Sequence, residues 1–199
     1  MRLTSRLAVP AAAAVIIVAL SACGSNDESS SGSMMSGTGN TSSSMSEGTT
    51  TGSEGDVEFA QMMIPHHEQA VEMADAALEN DTASADVKAL AGQIKAAQDP
   101  EIQTMKGWLS QWGATESGGP MDHGSGGMMS EDDMSSLMGS SGPEFDQMWL
   151  TMMIEHHEGA IEMAQDVLDT TSNPEVEQLA TAVVEGQEKE IATMQGMLS

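Results

Sequence analysis

The stretch MMIPHHEQAVEMA, Met62 to Ala74, returns as MMIEHHEGAIEMA, Met152 to Ala164, and the likeness runs well beyond these blocks. At an offset of 90, Asp56 matches Asp146, Phe59 matches Trp149 and Leu78 matches Leu168. At an offset of 89, Val87, Leu90, Gln98, Glu101, Ile102, Met105 and Leu109 match Val176, Leu179, Gln187, Glu190, Ile191, Met194 and Leu198. The offset changes by one residue around 80–85 and 170–174, and such a change is tolerated in a turn. Each copy is therefore two helices joined by a turn. A lone αα-hairpin leaves its apolar face uncovered, so two copies predict an all-α four-helix bundle made of two repeated αα-hairpins.

Local signals agree with this. Asp56 is placed to cap the first helix, with Glu58 in its first turn. Gly142-Pro143-Glu144 opens the third helix and Asn173-Pro174-Glu175 the fourth, each with proline at the first helical position. Ser130-Glu131-Asp132-Asp133 can start a short extra helix between the hairpins. No segment alternates as a strand would. The expected organisation is hairpin 1 over 56–112, a Gly/Met-rich linker over 113–142 and hairpin 2 over 143–199. The bundle domain thus covers 56–199. Residues 23–55 are mainly Ser, Gly, Thr and acids and bury too little to offset ordering, so they read as a disordered tether. Pro65 and Pro100 fall inside the helices of the first hairpin, where each removes a backbone donor and predicts a kink. Their counterparts are Glu155 and Lys189, so the halves are not interchangeable.

The histidines are the chemically informative part. On a helical wheel of ~100° per residue, Met62, Met73, His66, Phe59, Ala70, Met63, Ala74, His67 and Val71 share one half. Glu68, Glu72, Asp75 and Glu79 occupy the other. Both histidines therefore face inward, and the same holds for His156 and His157 with Met152, Met153 and Met163. Met62 and His66 are four residues apart, as are Met63 and His67, so each pair meets on one face. On the second helix of each hairpin, Glu101 and Gln98, or Glu190 and Gln187, sit inside the apolar arc. A buried carboxylate needs a partner, which a histidine N–H or a metal would supply. A lone inward histidine is ordinarily a satisfied core residue, and methionines at helical spacing are ordinarily core filler. Four inward histidines, four flanking methionines and two inward glutamates in one small bundle favour a metal or another functional role instead.

Imidazole with thioether and no thiolate selects Cu(I), for which Ag(I) is a mimic. Zinc would usually take His, Cys or carboxylate. Met121-Asp122-His123 and Met128-Met129 in the linker would add further thioether and imidazole donors; the alternative for them is plain low-complexity linker. Di-iron bundles require Glu-x-x-His motifs, whereas the chain has Pro65-His66-His67-Glu68 and Glu155-His156-His157-Glu158. No nucleophile–base set, phosphate loop or dinucleotide fingerprint is present.

The first 22 residues carry Arg2 and Arg6, an apolar run from Leu7 to Leu20 and then small residues, the pattern of a signal peptide. Leu20-Ser21-Ala22-Cys23 matches a bacterial lipoprotein processing site, so Cys23 is the expected lipidation point. The alternative is ordinary secretion with an incidental Cys. Cys23 is the only cysteine among 199 residues, against 19 methionines, so soft-metal chemistry would fall to thioethers. Removing residues 1–22 takes the formal charge from -25 to -27. Nucleic acid, which needs a basic footprint, is excluded as a partner.

The two doubled blocks, the run GMMSEDDMSSLMGSSGPEFDQMWL and the two Gln-x-x-Glu-Ile-x-x-Met segments resemble the bacterial "domain of unknown function 305" family. The likeness extends to its CopM-like periplasmic copper-binding members and spans about Asp56 to Ser199. It implies a ferritin-like four-helix bundle and, for some members, copper held by His and Met. Residue by residue, it points to His66, His67, Met62, Met63, Met73, His156, His157, Met152, Met153 and Met163. Met105 and Met194 are additional positions. The resulting expectation is a lipoprotein of the cell envelope, anchored to the membrane through Cys23. It would bind Cu(I) without catalysing a reaction and would buffer copper or pass it to a copper-trafficking protein. The competing readings are a metal-free structural or partner-binding module and a ferritin-like metal oxidase.

Overall fold

A computed structural model describes residues 52–117 and 126–199. The signal segment, Cys23, the tether up to residue 51, Met121 and His123 lie outside the described residues. The chain forms α1 (Glu54–Glu79), α2 (Ala85–Trp112), α3 (Glu131–Gly139), α4 (Pro143–Leu168) and α5 (Pro174–Leu198), with no strand among the described residues. Helices α1 and α2 pair as one hairpin and α4 and α5 as the other. The hairpins meet chiefly through α1 and α4. The short α3 rests its Met134 and Leu137 on the bundle.

The first helix is capped three residues earlier than expected, by Ser53 and not by Asp56. The Ser53 hydroxyl accepts from the Asp56 N–H at 3.1 Å, and the Asp56 carboxylate accepts from the Ser53 N–H at 2.9 Å. This reciprocal capping box satisfies two otherwise orphaned donors, so residues 53–55 belong to the fold rather than to the tether. The other oxygen of Asp56 accepts from the Thr171 hydroxyl at 2.6 Å, in the turn of the opposite hairpin. Its repeat counterpart Asp146 accepts from the Ser84 N–H at 3.1 Å, in the turn of the first hairpin. The matched aspartates thus each tie one hairpin to the turn of the other.

Helices α1 and α2 continue unbroken through Pro65 and Pro100. Both rings are exposed. The carbonyls they leave unpaired, four residues back, therefore lie toward the wet side, where water can satisfy them.

The apolar core is divided in two. One part gathers Ala70, Met73 and Ala77 of α1, Val87, Leu90 and Ile94 of α2, Phe145, Trp149, Met152 and Met153 of α4, and Met194 of α5. The other gathers Phe59, Met63 and Ile64 of α1, Ile102, Met105 and Leu109 of α2, Ala160, Ala164 and Val167 of α4, and Val176, Ala180 and Val183 of α5. Every long helix contributes to both parts, and in every one the buried side chains between them are polar. Trp149, fully buried, crosses between hairpins by donating its indole N–H to the Met73 carbonyl at 2.8 Å.

Asp56 is 2% exposed, whereas the Ser84–Asp146 bonds lie at the surface. Hydrogen bonds to a charged group contribute about 1.5–3 kcal/mol when buried and less when water competes. Urea unfolding should therefore show a larger loss for Asp56→Ala than for Asp146→Ala. Equal losses would mean that the buried tie contributes no more than the exposed one.

Candidate functional site

The polar layer that splits the core consists of His66 and His67 on α1, Gln98 and Glu101 on α2, His156 and His157 on α4, and Gln187 and Glu190 on α5. The four imidazoles are at most 2% exposed. They form one layer shared by the hairpins, because the rings of His66 and His156 lie 3.7 Å apart between centroids, tilted by 40°.

The two glutamates that the sequence placed on buried faces find their partners here. His67 Nε2–H donates to Glu101 Oε2 at 2.9 Å, and His157 Nε2–H donates to Glu190 Oε2 at 2.7 Å. Each carboxylate is about one-fifth exposed while its histidine is fully buried, so charge stays near the rim and the ring projects inward. A ring that donates through Nε2 in its neutral form has its lone pair at Nδ1. His66 is held in the same tautomer by a different acceptor, donating through Nε2 to the Gly126 carbonyl at 2.6 Å. The Nδ1 atoms of His66, His67, His156 and His157 are all buried with no hydrogen-bond partner, and His156 Nε2 is likewise unpaired.

Burial determines the protonation of the two central rings. Desolvation, opposed only in part by the Gly126 carbonyl, lowers His66 from 6.5 to about 3, with His67 and His157 adding repulsion. His156 is pushed well below its ordinary value, first by desolvation and then by the other three histidines. At neutral pH both rings are uncharged and carry available lone pairs.

The thioethers fall on either side of this layer, each group drawn from both hairpins. Met73, Met152, Met153 and Met194 lie in one part of the core. Met63 and Met105 lie in the other, with Met163 half-buried against it. Met62 is also only half-buried. Among the described residues, no three His, Cys, Asp or Glu side chains gather closely enough to hold a metal ion. A soft cation prefers imidazole and thioether donors to carboxylates.

One part of the site was not anticipated from the sequence. The chain entering α3 passes over the histidine layer, and the Gly126 carbonyl on His66 belongs to it. Gln69 holds the same segment by two bonds to the Met129 backbone, at 2.9 Å to its carbonyl and 2.7 Å from its N–H. The repeat counterpart of Gln69 is Gly159, and a Cβ there would collide with the Gly126 carbonyl. This Gln/Gly divergence, inside an otherwise well-matched block, is the sequence signal that could have revealed the contact.

The imidazole protonation has a sign that can be tested on metal-free protein. An unfolded histidine titrates near 6.5 and folded His66 near 3, so the unfolded chain binds more protons between those values. Stability is then fully present above about pH 6.5 and falls as pH drops, by about 1.4 kcal/mol per pH unit for each such histidine. Urea unfolding between pH 5 and 6.5 should show this slope, reduced in His66→Gln. An unchanged slope in that variant would mean His66 is protonated in the folded state.

Among curated proteins, none matches the chain. Among solved structures, a DUF305 fragment from Deinococcus radiodurans is 34% identical, with a TM-score of 0.68, over 74% of this chain and 97% of its own. A DUF305 protein from Streptomyces coelicolor, named as secreted, is 32% identical with a TM-score of 0.68, over 72% of this chain and 90% of its own. CopM in its Cu(I)-bound form is 31% identical with a TM-score of 0.60, over 71% of this chain and 94% of its own. CopM is also known in Cu(II)-bound, Ag-bound and apo forms. The model of the family "Domain of unknown function (DUF305)" matches residues 56–198, nearly the whole of both hairpins and the segment between them, and the chain belongs to that family.

Proposed function

We propose that this protein binds Cu(I) outside the cytoplasm and buffers it or passes it to a partner, without catalytic turnover. The observation that carries this reading is the set of buried, unpartnered Nδ1 atoms with lone pairs oriented by Glu101, Glu190 and Gly126. A lone pair shut away from water costs free energy until a donor or cation occupies it. Carboxylates and carbonyls on the far nitrogen are the usual means of aiming a ligating imidazole. The ligands proposed are His66, His67, His156 and His157 with Met63, Met73, Met152 and Met153. Met62, Met163, Met105 and Met194 lie at the margins. A thioether–imidazole set favours Cu(I), with Ag(I) as mimic. The likeness to CopM, with its copper-bound and silver-bound forms, supports the same class of ion.

An extracytoplasmic place is supported by the secreted relative and by the signal-like residues 1–22. Lipidation at Cys23 would hold the bundle to a membrane through two or more acyl chains. Cys23→Ser should then move the protein from the membrane to the soluble fraction. Retention of the variant in the membrane would remove the anchor from this reading.

The direct test is an anaerobic competition titration of Cu(I) against a chromophoric chelator. The wild type should compete and saturate. The variant in which His66, His67, His156 and His157 are all glutamine should lose tight binding while keeping its helical circular dichroism. No competition by the wild type would leave the polar layer a device for matching one hairpin to the other.

A further inference from the structure

The segment Gly126–Met129 is gripped from both sides. On the α1 side, the Gln69 side-chain amide makes paired bonds with the Met129 carbonyl and N–H. On the α4 side, Gly159 leaves the space that the Gly126 carbonyl fills. Gly127, at φ +74°, lies where a Cβ would meet the Glu155 carbonyl. From this position Gly126 accepts the Nε2–H of His66, whose ring lies against that of His156 at a tilt of 40°. Beside the latch lies an open cleft of about 490 Å³ whose lining includes Gln69, Glu72, Met129, Glu131, Met134 and Met138. Three thioethers thus line the approach to the segment that covers the layer.

We propose that Gly126–Met129 is a strap gating access to His66 and His156, that Gln69 is its latch, and that a soft cation enters from the methionine-lined cleft when the latch opens. The identity of the ion rests on the proposed copper reading; the gate does not. When the strap lifts, His66 loses the carbonyl that its Nε2–H donates to. Gln69 holds the strap by side-chain hydrogen bonds, whereas Gly159, its repeat counterpart, only leaves room for it.

Two variants open the strap by unrelated means. Gln69→Ala removes the latch. Gly159→Ala pushes on the Gly126 carbonyl while raising the helix propensity of α4, so it should not act by unfolding the bundle. In the metal-free full chain, both should speed amide exchange at Met129. Both should also speed carbethoxylation of His66 by diethyl pyrocarbonate, mapped by mass spectrometry, and for Gln69→Ala the loss of two neutral hydrogen bonds corresponds to roughly tenfold or more. Stopped-flow transfer of Cu(I) from a chelator should accelerate in step. Faster exchange at Met129 with unchanged His66 modification overturns the gate, and so does unchanged exchange in both variants. Faster His66 modification with no Cu(I) uptake by any form supports the gate and removes the copper reading.

Discussion

The rest of the structure depends on keeping four imidazoles dry in the middle of a helical bundle, with the central two, His66 and His156, uncharged. Imidazole is the one side chain that tolerates this near neutral pH, because desolvation discharges it instead of leaving a buried charge. The consequence reaches every long helix. Each must interrupt its apolar face at the same height, which is why the core falls into two parts with polar residues between them. The glutamates stay near the rim, where water helps to solvate their charge, and reach inward only to fix the far nitrogen of His67 or His157.

The layer also explains how thioethers are apportioned. The two hairpins cross with His66 against His156, so what lies C-terminal to the histidines on α1 meets what lies N-terminal to them on α4. Met73 therefore joins Met152 and Met153, while Met163 joins Met63 across the same crossing. Neither hairpin assembles a thioether group by itself. The symmetry is broken where the connecting chain must pass: it crosses one face, and the residues beneath it, Gln69 and Gly159, have taken complementary roles.

Much of this was legible in the sequence, because helical periodicity records which face is buried. The inward aim of the histidines, the burial of Gln98 and Gln187, and the need of Glu101 and Glu190 for partners all follow from angular position on a wheel. What escaped was decided by backbone rather than by side-chain pattern. The start of α1 at Glu54 depends on Ser53, one of many serines in a stretch whose composition reads as tether. The strap acts through a main-chain carbonyl and the room left by missing Cβ atoms, which no hydrophobic period encodes. The prolines sit within continuous helices because the cost of a lost backbone bond depends on whether water can reach the freed carbonyl, and both rings are exposed.

The reciprocal ties from Asp56 to the Thr171 turn and from Asp146 to the Ser84 turn bear on how such a chain can arise. One hairpin carrying one such aspartate could make both ties by pairing with a second copy of itself about a two-fold axis, as isologous dimers do. The same operation would set one His pair against the other. Read this way, the fused chain is a homodimer held permanently at an effective concentration fixed by its linker. Fusion brings a freedom that no symmetric dimer has: each half can be altered separately.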